Sequence, residues 1–345
     1  MGGGLVVLSR TELQRAAADG GFDAESYEKV SLLVALLEGV RSHPYLGRRL
    51  VLKGGPALNL FVLDLPCLSV DIDLNYVGAA DRDTMLAERP QVERAIEQVG
   101  GRQGVTVKRV PSDHAGGKWR LSYASSLGGT RTLELDVNFV LRTPLWPIEF
   151  SDCRPIGGMR ATRVPVLDVH ELAAGKLAAL FARSAARDLF DSQGLLRRGG
   201  LDPAKLRLGF VVYGGANRRD WREVAVTDVT TTPLEVDAQL VPMLRERVRP
   251  TREDLVRWTD ALIADVRTLM AAVLPLTADE RRFLERLNGA GEIVPELLTQ
   301  NSAQQALLLT HPGLRWKSQN VREHLGRAGA GNARHPRGPS PNSSM

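Results

Sequence analysis

Apolar and polar residues follow two different rhythms in the first part of the chain. Between Ala24 and Val40 the apolar side chains recur at helical spacing among Glu, Lys and Ser, which predicts an amphipathic helix. The run from Arg49 to Leu52 predicts a short strand, and KGG and then PALNLFVL follow it. Pro56 suits the first turn of a helix, because the N–H that proline lacks would have no helical partner there. The predicted order is therefore strand, glycine turn, helix.

Two later segments alternate with the period of a strand and carry acidic residues on one face. In CLSVDIDLNYV, one face holds Val70, Ile72 and Leu74, and the other holds Ser69, Asp71, Asp73 and Asn75. In TLELDVNFVL, Glu134, Asp136 and Asn138 share one face, and Leu135, Val137 and Phe139 share the other. We therefore expect two strands that each present carboxylates together.

The remaining pattern of this half predicts a helix over 83–99 and strands over 105–110 and 118–122, with glycine pairs at the turns. Strands interleaved with helices are typical of an α/β (α+β) domain. From Asp168 the pattern becomes helical, and a second helix should begin near Ser184 and carry ARDLFD. Beyond Leu201 the pattern stays mostly helical, with a helix over 253–273 and a capping box at Thr277 and Glu280. We predict a first domain over 1–200, a helical C-terminal lobe over 201–326 and a disordered basic tail over 327–345.

Composition narrows the class of protein. A chain of 345 residues has room for two packed units. Its apolar runs stay below the roughly 18 residues that cross a bilayer, and its first residues do not resemble a signal peptide, so we expect a cytoplasmic protein without a membrane association. Cys67 and Cys153 are too few for a disulfide framework, and we expect two reduced thiols.

The net charge of +5 is concentrated near the C-terminus. From Arg315 to Met345 there are six Lys or Arg and one acid, Glu323, so the body of the chain is neutral overall. Such a tail suits a polyanion such as RNA, since bound cations release condensed counterions. A tail that only keeps the protein soluble is the alternative.

The paired acids suggest phosphoryl transfer. This chemistry needs divalent metals that neutralise charge on the attacking and leaving oxygens, and Mg²⁺ prefers carboxylate, phosphate and water ligands. Asp71 and Asp73 point the same way, and Asp136 on a neighbouring strand would complete the set. The turn at Gly54 and Gly55 would offer backbone amides to a triphosphate. A lone D-x-D is often only a solvated strand edge and KGG only a tight turn, but the combination is more specific than its parts.

These residues resemble a known family. The segment KGGPALNLFVLDLPCLSVDIDL is similar to the first motif of the AbiEii/MenT nucleotidyltransferase-like toxins of bacterial toxin–antitoxin systems, and LELDVNF to their third-carboxylate strand. HELAAGKLAALFAR is similar to the lysine-bearing helix, and ARDLFD to the last motif. The resemblance spans about Leu52 to Asp191 and implies a polymerase-β-like nucleotidyltransferase domain. It also implies a toxin that modifies the tRNA 3′ end and has a cognate antitoxin.

The resemblance also implies the roles of individual residues. The catalytic set would be Asp71, Asp73, Asp136, Lys176 and Asp188, with the first three as Mg²⁺ ligands. The nucleotide-binding set would be Gly54, Gly55, Ser69, Lys176 and Asp191. The chain departs from the family at Pro56, where a small or hydroxyl residue is more common, and Gly175 is unusual within a helix.

Lys176 lies on the same helical stripe as Leu172 and Leu180, so its ammonium should point inward and need an anion. That anion is either the triphosphate with the carboxylate set, or Asp188 or Asp191 in a structural ion pair. Weaker candidates for RNA contact are Lys118 and the arginines between Arg245 and Arg252.

Three functions compete. The first is transfer of a nucleoside monophosphate from a nucleoside triphosphate to the tRNA 3′ end, which would block translation. The second keeps the same chemistry with a protein or small-molecule acceptor. The third is a catalytically inactive RNA-binding module, and the complete set of Asp71, Asp73 and Asp136 argues against it.

Overall fold

The computed structural model describes residues 8–111, 116–156 and 158–332, with side chains described as far as residue 326. Its strands form one seven-stranded sheet in the order β3-β4-β5-β2-β1-β7-β6. The strands are β1 Leu50–Leu52, β2 Asp71–Tyr76, β3 Thr106–Val110, β4 Gly117–Ala124, β5 Thr130–Asn138, β6 Glu149–Ser151 and β7 Val164–Val166. Strand β2 is parallel to β5 and antiparallel to β1, so the sheet is mixed. The helices around it confirm the α/β (α+β) class.

Three of the first four described helices lie at predicted positions, whereas the first was not predicted. The first four are α1 Arg10–Gly20, α2 Ala24–Ser42, α3 Gly54–Ala57 and α4 Arg82–Arg102. Asp23 caps α2, since its carboxylate accepts hydrogen bonds from the amides of Glu25 and Ser26. Pro56 lies in α3 as expected, but α3 has only four residues and continues as a π-helical turn over Leu58–Val62. So short a helix adds little dipole to the glycine turn.

Two helices follow the sheet and carry the later motifs: α5 Val169–Arg183 and α6 Ala186–Arg198. Asp168 caps α5 by accepting from the amide of His170. Ser184, at φ +51°, ends α5 and lets the chain turn back into α6. Because α6 then packs against α5, the two motifs lie side by side.

Past residue 201, the described chain forms helices and short 3₁₀ or π turns, as predicted, and its one β contact is the isolated bridge between Cys67 and Leu244. The helices are α7 Pro203–Gly215, α8 Pro233–Glu235, α9 Leu255–Leu269, α10 Ala278–Ala290, α11 Ser302–Thr310 and α12 Pro312–Asn332. The capping box at Thr277 and Glu280 is confirmed. Helix α7 packs directly on α5, so this region lies against the site motifs. Helix α12 continues past residue 326, and the rest of the expected tail, 333–345, lies outside the described residues.

The core lies between the sheet and α2, where Leu33 and Leu36 are almost completely buried, and it extends to Trp119 on β4 and Trp221 after α7. Among the described helices, none has both the length and the apolar character that crossing a membrane requires.

Candidate functional site

The strands β2 and β5 bring the three predicted carboxylates together. They pair in parallel register, with Asp73 opposite Asp136 and Asp71 opposite Glu134. Ile72, between the two β2 aspartates, is fully buried in the core. Alternation of the strand therefore turns Asp71 and Asp73 to the other face, where their side chains remain 40% and 30% exposed.

Cations surround these carboxylates at a distance. An Arg187 Nη2 lies 3.9 Å from Asp71 Oδ2, and Lys53 Nζ lies 3.9 Å from Asp73 Oδ1. Burial raises the pKa of Asp71, an effect that Arg187 only partly offsets. Burial likewise raises the pKa of Asp136. Both pKa shifts are in the direction expected when a carboxylate loses hydration on burial and nearby cations only partly offset that loss.

Glu134 on the same face is satisfied differently. Lys118 on β4 places its Nζ 2.5 Å from Glu134 Oε2, and this hydrogen bond raises the pKa of Lys118. Lys118, a weaker candidate for RNA contact, is therefore paired with Glu134, and it lies opposite Asp136 in the β4–β5 register.

The glycine turn is shaped by the carboxylates. Gly54 has a φ of +72°, and a Cβ there would overlap Asp73 Oδ2. A Cβ at Gly55 would overlap Ser69 Oγ, just before β2 begins. Both glycines are required because polar side chains of the site pack directly on their backbone.

Lys176, Asp188 and Asp191 form a buried cluster below this turn. Lys176 Nζ lies 2.9 Å from both Asp188 Oδ1 and Asp191 Oδ2, and all three side chains are at least 90% buried. Burial alone would lower the pKa of Lys176, but Asp191 and Asp188 together raise it. Burial would raise the pKa of Asp188, but Lys176 and Arg183 lower it. Both aspartates are therefore ion-pair partners of Lys176, which also lines a cavity beside the carboxylates.

The cluster extends to residues that the sequence did not single out. Asn59 Nδ2 donates to Asp191 Oδ1 and to the carbonyl of Gly55, both at 3.1 Å. The Cys67 thiol donates to Asn59 Oδ1 at 3.2 Å, and burial raises the pKa of Cys67 well above its ordinary value. Cys67 and Cys153 are both free, as expected. Asn59 thus links the buried ions to the glycine turn. No local pattern could show this link, because Asn59 and Asp191 are far apart in the sequence.

A cavity of about 800 Å³ opens beside the carboxylates. On one side it is lined by Asp73 and Asn138 of the sheet and by the adjoining Lys53 and Gly54, and on the other side by the helices α5, α7 and α12. Small residues of α5 form one wall: Gly175, Ala178, Ala179 and Ala182. A Cβ added at Gly175 would lie at ordinary contact distance from the Tyr213 ring, and the absence of that atom leaves the cavity wider. The volume is typical of a site for a small molecule of nucleotide size.

The basic side chains near this cavity that were missed from the sequence include Lys53, Arg183 and Arg187. Lys53 and Arg183 line it, and Arg187 approaches Asp71. The available signal was position, since Lys53 directly precedes the glycine turn and Arg187 directly precedes Asp188.

Within the described part of the chain, no group of three or more His, Cys, Asp and Glu side chains is arranged to hold a metal ion. The chemistry of the donors nevertheless suits Mg²⁺, because Asp71, Asp73 and Asp136 are oxygen ligands on one face. Their charge is also incompletely neutralised, with the cations nearest to Asp71 and Asp73 at 3.9 Å.

Comparisons with known proteins agree with this geometry. The profile of the family described as "Nucleotidyl transferase AbiEii toxin, Type IV TA system" matches residues 35–317. The fold is similar to that of MenT4, a nucleotidyltransferase toxin from Mycobacterium tuberculosis H37Rv, with a TM-score of 0.57 and 25% sequence identity. That alignment covers 87% of this chain and 99% of the MenT4 chain. No curated protein matches the sequence. The family match spans most of the chain, including both strands of carboxylates and the buried cluster, and the chain belongs to the AbiEii nucleotidyltransferase toxin family.

Proposed function

We propose that this protein transfers a nucleoside monophosphate from a nucleoside triphosphate to the 3′ end of tRNA, in a Mg²⁺-dependent reaction in the cytoplasm that blocks translation. The observation that carries the proposal is the register of β2 and β5. It sets Asp73 beside Asp136 on one face, and Asp73 lines a cavity of about 800 Å³.

Mg²⁺ would be held by Asp71, Asp73 and Asp136, and when bound it would neutralise charge on the phosphates. The oxygen of the acceptor hydroxyl forms a bond to the α-phosphorus, the bond from that phosphorus to the bridging oxygen breaks, pyrophosphate leaves and the hydroxyl proton passes to solvent. Lys53, Arg183 and Arg187 bind the triphosphate from the rim. These three side chains supply positive charge to the phosphates, which the carboxylates cannot do.

The buried cluster has a positioning role in this proposal. Lys176 and Asp188 hold α5 against α6, and α6 carries Arg187 to Asp71. Asp191 holds Asn59, which fixes the carbonyl of Gly55 beside Ser69. The nucleotide thus meets Gly54, Gly55 and Ser69, and the ions behind them keep that surface in place.

Two observations favour an RNA acceptor with an antitoxin as regulator. The family is that of a type IV toxin–antitoxin system, which implies a cognate antitoxin. The basic segment from Arg315 onward gives a polyanion a place to bind.

The test is incubation of the purified protein with each α-labelled nucleoside triphosphate, Mg²⁺ and total tRNA, with Asp73→Asn as the control. Label on tRNA that requires Mg²⁺ and Asp73 supports the proposal. Label on protein or on a small molecule would move the acceptor to another class, and no label with any of the four nucleotides would favour an inactive binding module.

A further inference from the structure

A second cavity of about 300 Å³ lies beside the nucleotide-sized one, between α10 and α12 and the turn after α7. The two cavities share three lining residues: Asn217, Arg218 and Trp316. These three residues form the boundary between the two cavities, and we call this boundary the neck.

Trp316 differs from the other tryptophans of the chain. Trp119 and Trp221 are completely buried, whereas Trp316 is 42% exposed. Its position is fixed by the start of α12, where the neighbouring Leu314 is fully buried. An exposed indole on a fixed backbone at the neck offers a flat surface for stacking.

The groove formed by the two cavities is also positively charged where they meet. Among the described residues that line the smaller cavity, Arg218 and Lys317 are basic, His324 is a histidine and none is acidic. Lys317 Nζ donates to the carbonyl of Asn217 at 2.9 Å, which holds the turn that presents Arg218. The Arg218 side chain is exposed, and among the described residues none forms a hydrogen bond or ion pair with it.

We propose that the smaller cavity and its neck bind the single-stranded end of the acceptor RNA, with a base stacked on Trp316 and a backbone phosphate on Arg218. The terminal hydroxyl then points along the larger cavity toward Asp73. This inference rests on the proposed function, because it assumes that the acceptor is RNA. Stacking on an aromatic ring beside a cation is the usual way in which proteins hold unpaired nucleotides.

The experiment measures equilibrium binding of 5′-fluorescein-labelled tRNA by anisotropy, without nucleoside triphosphate, over a series of salt concentrations. Trp316→Ala should weaken binding about tenfold or more, and Trp316→Phe should restore most of it. Arg218→Ala should make the salt dependence less steep, by about 0.7 in the slope of log K against log salt. The matched controls are Phe150→Ala, an aromatic side chain 60% exposed on the edge strand β6, and Arg257→Ala on α9.

Unchanged affinity in Trp316→Ala, or an equal loss in Phe150→Ala, overturns the inference. Wild-type protein that does not bind tRNA overturns it as well. If Trp316→Ala fails to fold, the affinity of Trp316→Phe and the salt slope of Arg218→Ala decide instead. The transfer assay separates the two proposals: Trp316-dependent binding without label on RNA contradicts only the proposed function. Label on RNA with an unaltered RNA KM in Trp316→Ala contradicts only this inference.

Discussion

The carboxylate face is formed by Asp71, Asp73 and Asp136, and the buried cluster below it by Lys176, Asp188 and Asp191. Both combine carboxylates with basic side chains, but they differ in exposure and in how close the opposite charges lie. In the cluster, Lys176 is within 2.9 Å of two aspartates, and all three side chains are excluded from water. On the face, Asp71 and Asp73 are partly exposed and each has its nearest cation 3.9 Å away. The ions of the cluster are therefore in direct contact with one another, whereas no cation of the described residues is in direct contact with the carboxylates of the face.

The difference separates structure from chemistry. In the buried cluster the ions already neutralise one another, and removing one of them leaves the others uncompensated. Carboxylates with unfilled coordination remain free to bind cations and phosphate-bearing substrates. We therefore expect substitutions on the face to remove activity and substitutions in the cluster to remove stability.

The largest effect should come from Asp73→Asn, which keeps the shape of the side chain but removes its charge. Transfer should fall by a factor of about 10³ or more, since a metal ligand contributes several kcal/mol to the transition state. Urea unfolding should be nearly unaltered because the side chain is partly exposed. Asp64→Asn, at a carboxylate 86% exposed, is the control and should keep full activity. Comparable transfer by both variants would rule out a role for the face.

Lys176→Met should instead destabilise the fold by about 3–5 kcal/mol, because it leaves Asp191 buried without the Lys176 ammonium and Asp188 with Arg183 alone. The measurement is the free energy of unfolding in urea. Lys53→Met is the matched variant. The Lys53 side chain is 26% exposed and its Nζ lies 3.9 Å from Asp73 Oδ1, so we expect lost activity with little lost stability. A stable but inactive Lys176→Met protein would instead place the lysine on the substrate.

The two regions were not equally predictable from the sequence. Alternation along β2 and β5 fixed which side chains share a face, so Asp71, Asp73 and Asp136 could be found locally. The partners of Lys176 stayed open between two interpretations, because the sequence does not show how α5 and α6 pack. Asn59 and Trp316 were missed altogether, since each acquires its surroundings from elements far away in the chain. Periodicity along the sequence predicts which way a side chain points, but only the packing of the folded chain determines which side chains come into contact.

Gly54→Ala tests how closely the backbone supports the face. The substitution forces a side chain onto a φ of +72° and against Asp73 Oδ2, so the carboxylate must move. We expect a loss of about 1–3 kcal/mol in stability, together with a lower transfer rate. Gly101→Ala in α4, where a Cβ would meet nothing within 4 Å, should be neutral or slightly stabilising. If both variants behave alike, the glycine turn has no steric role at the site.

Glu171 sharpens the comparison, because it is a buried carboxyl that lines the larger cavity and has no cation partner among the described residues. It is 2% exposed, and its oxygens accept from the Tyr213 hydroxyl at 2.8 Å and the Leu145 amide at 3.0 Å. Burial raises the pKa of Glu171 to about 7, against the opposing effect of those hydrogen bonds, and nearby Asp168 adds to the rise. The pKa of Asp188, equally buried but paired with cations, is lowered instead. Burial thus has opposite outcomes according to the partner.

The consequence is a pH dependence of stability with a defined sign. Because the folded protein holds the Glu171 proton more tightly than the unfolded chain does, this group stabilises the fold at low pH. Its contribution is lost as the pH rises from about 4.5 through about 7. The wild type should therefore lose up to about 2 kcal/mol more than Glu171→Gln between pH 5 and pH 8, since the amide does not ionise. Urea unfolding of both proteins at the two pH values measures this difference. Equal losses of stability in the two proteins would mean that Glu171 is already ionised in the folded state and that another group stabilises its charge.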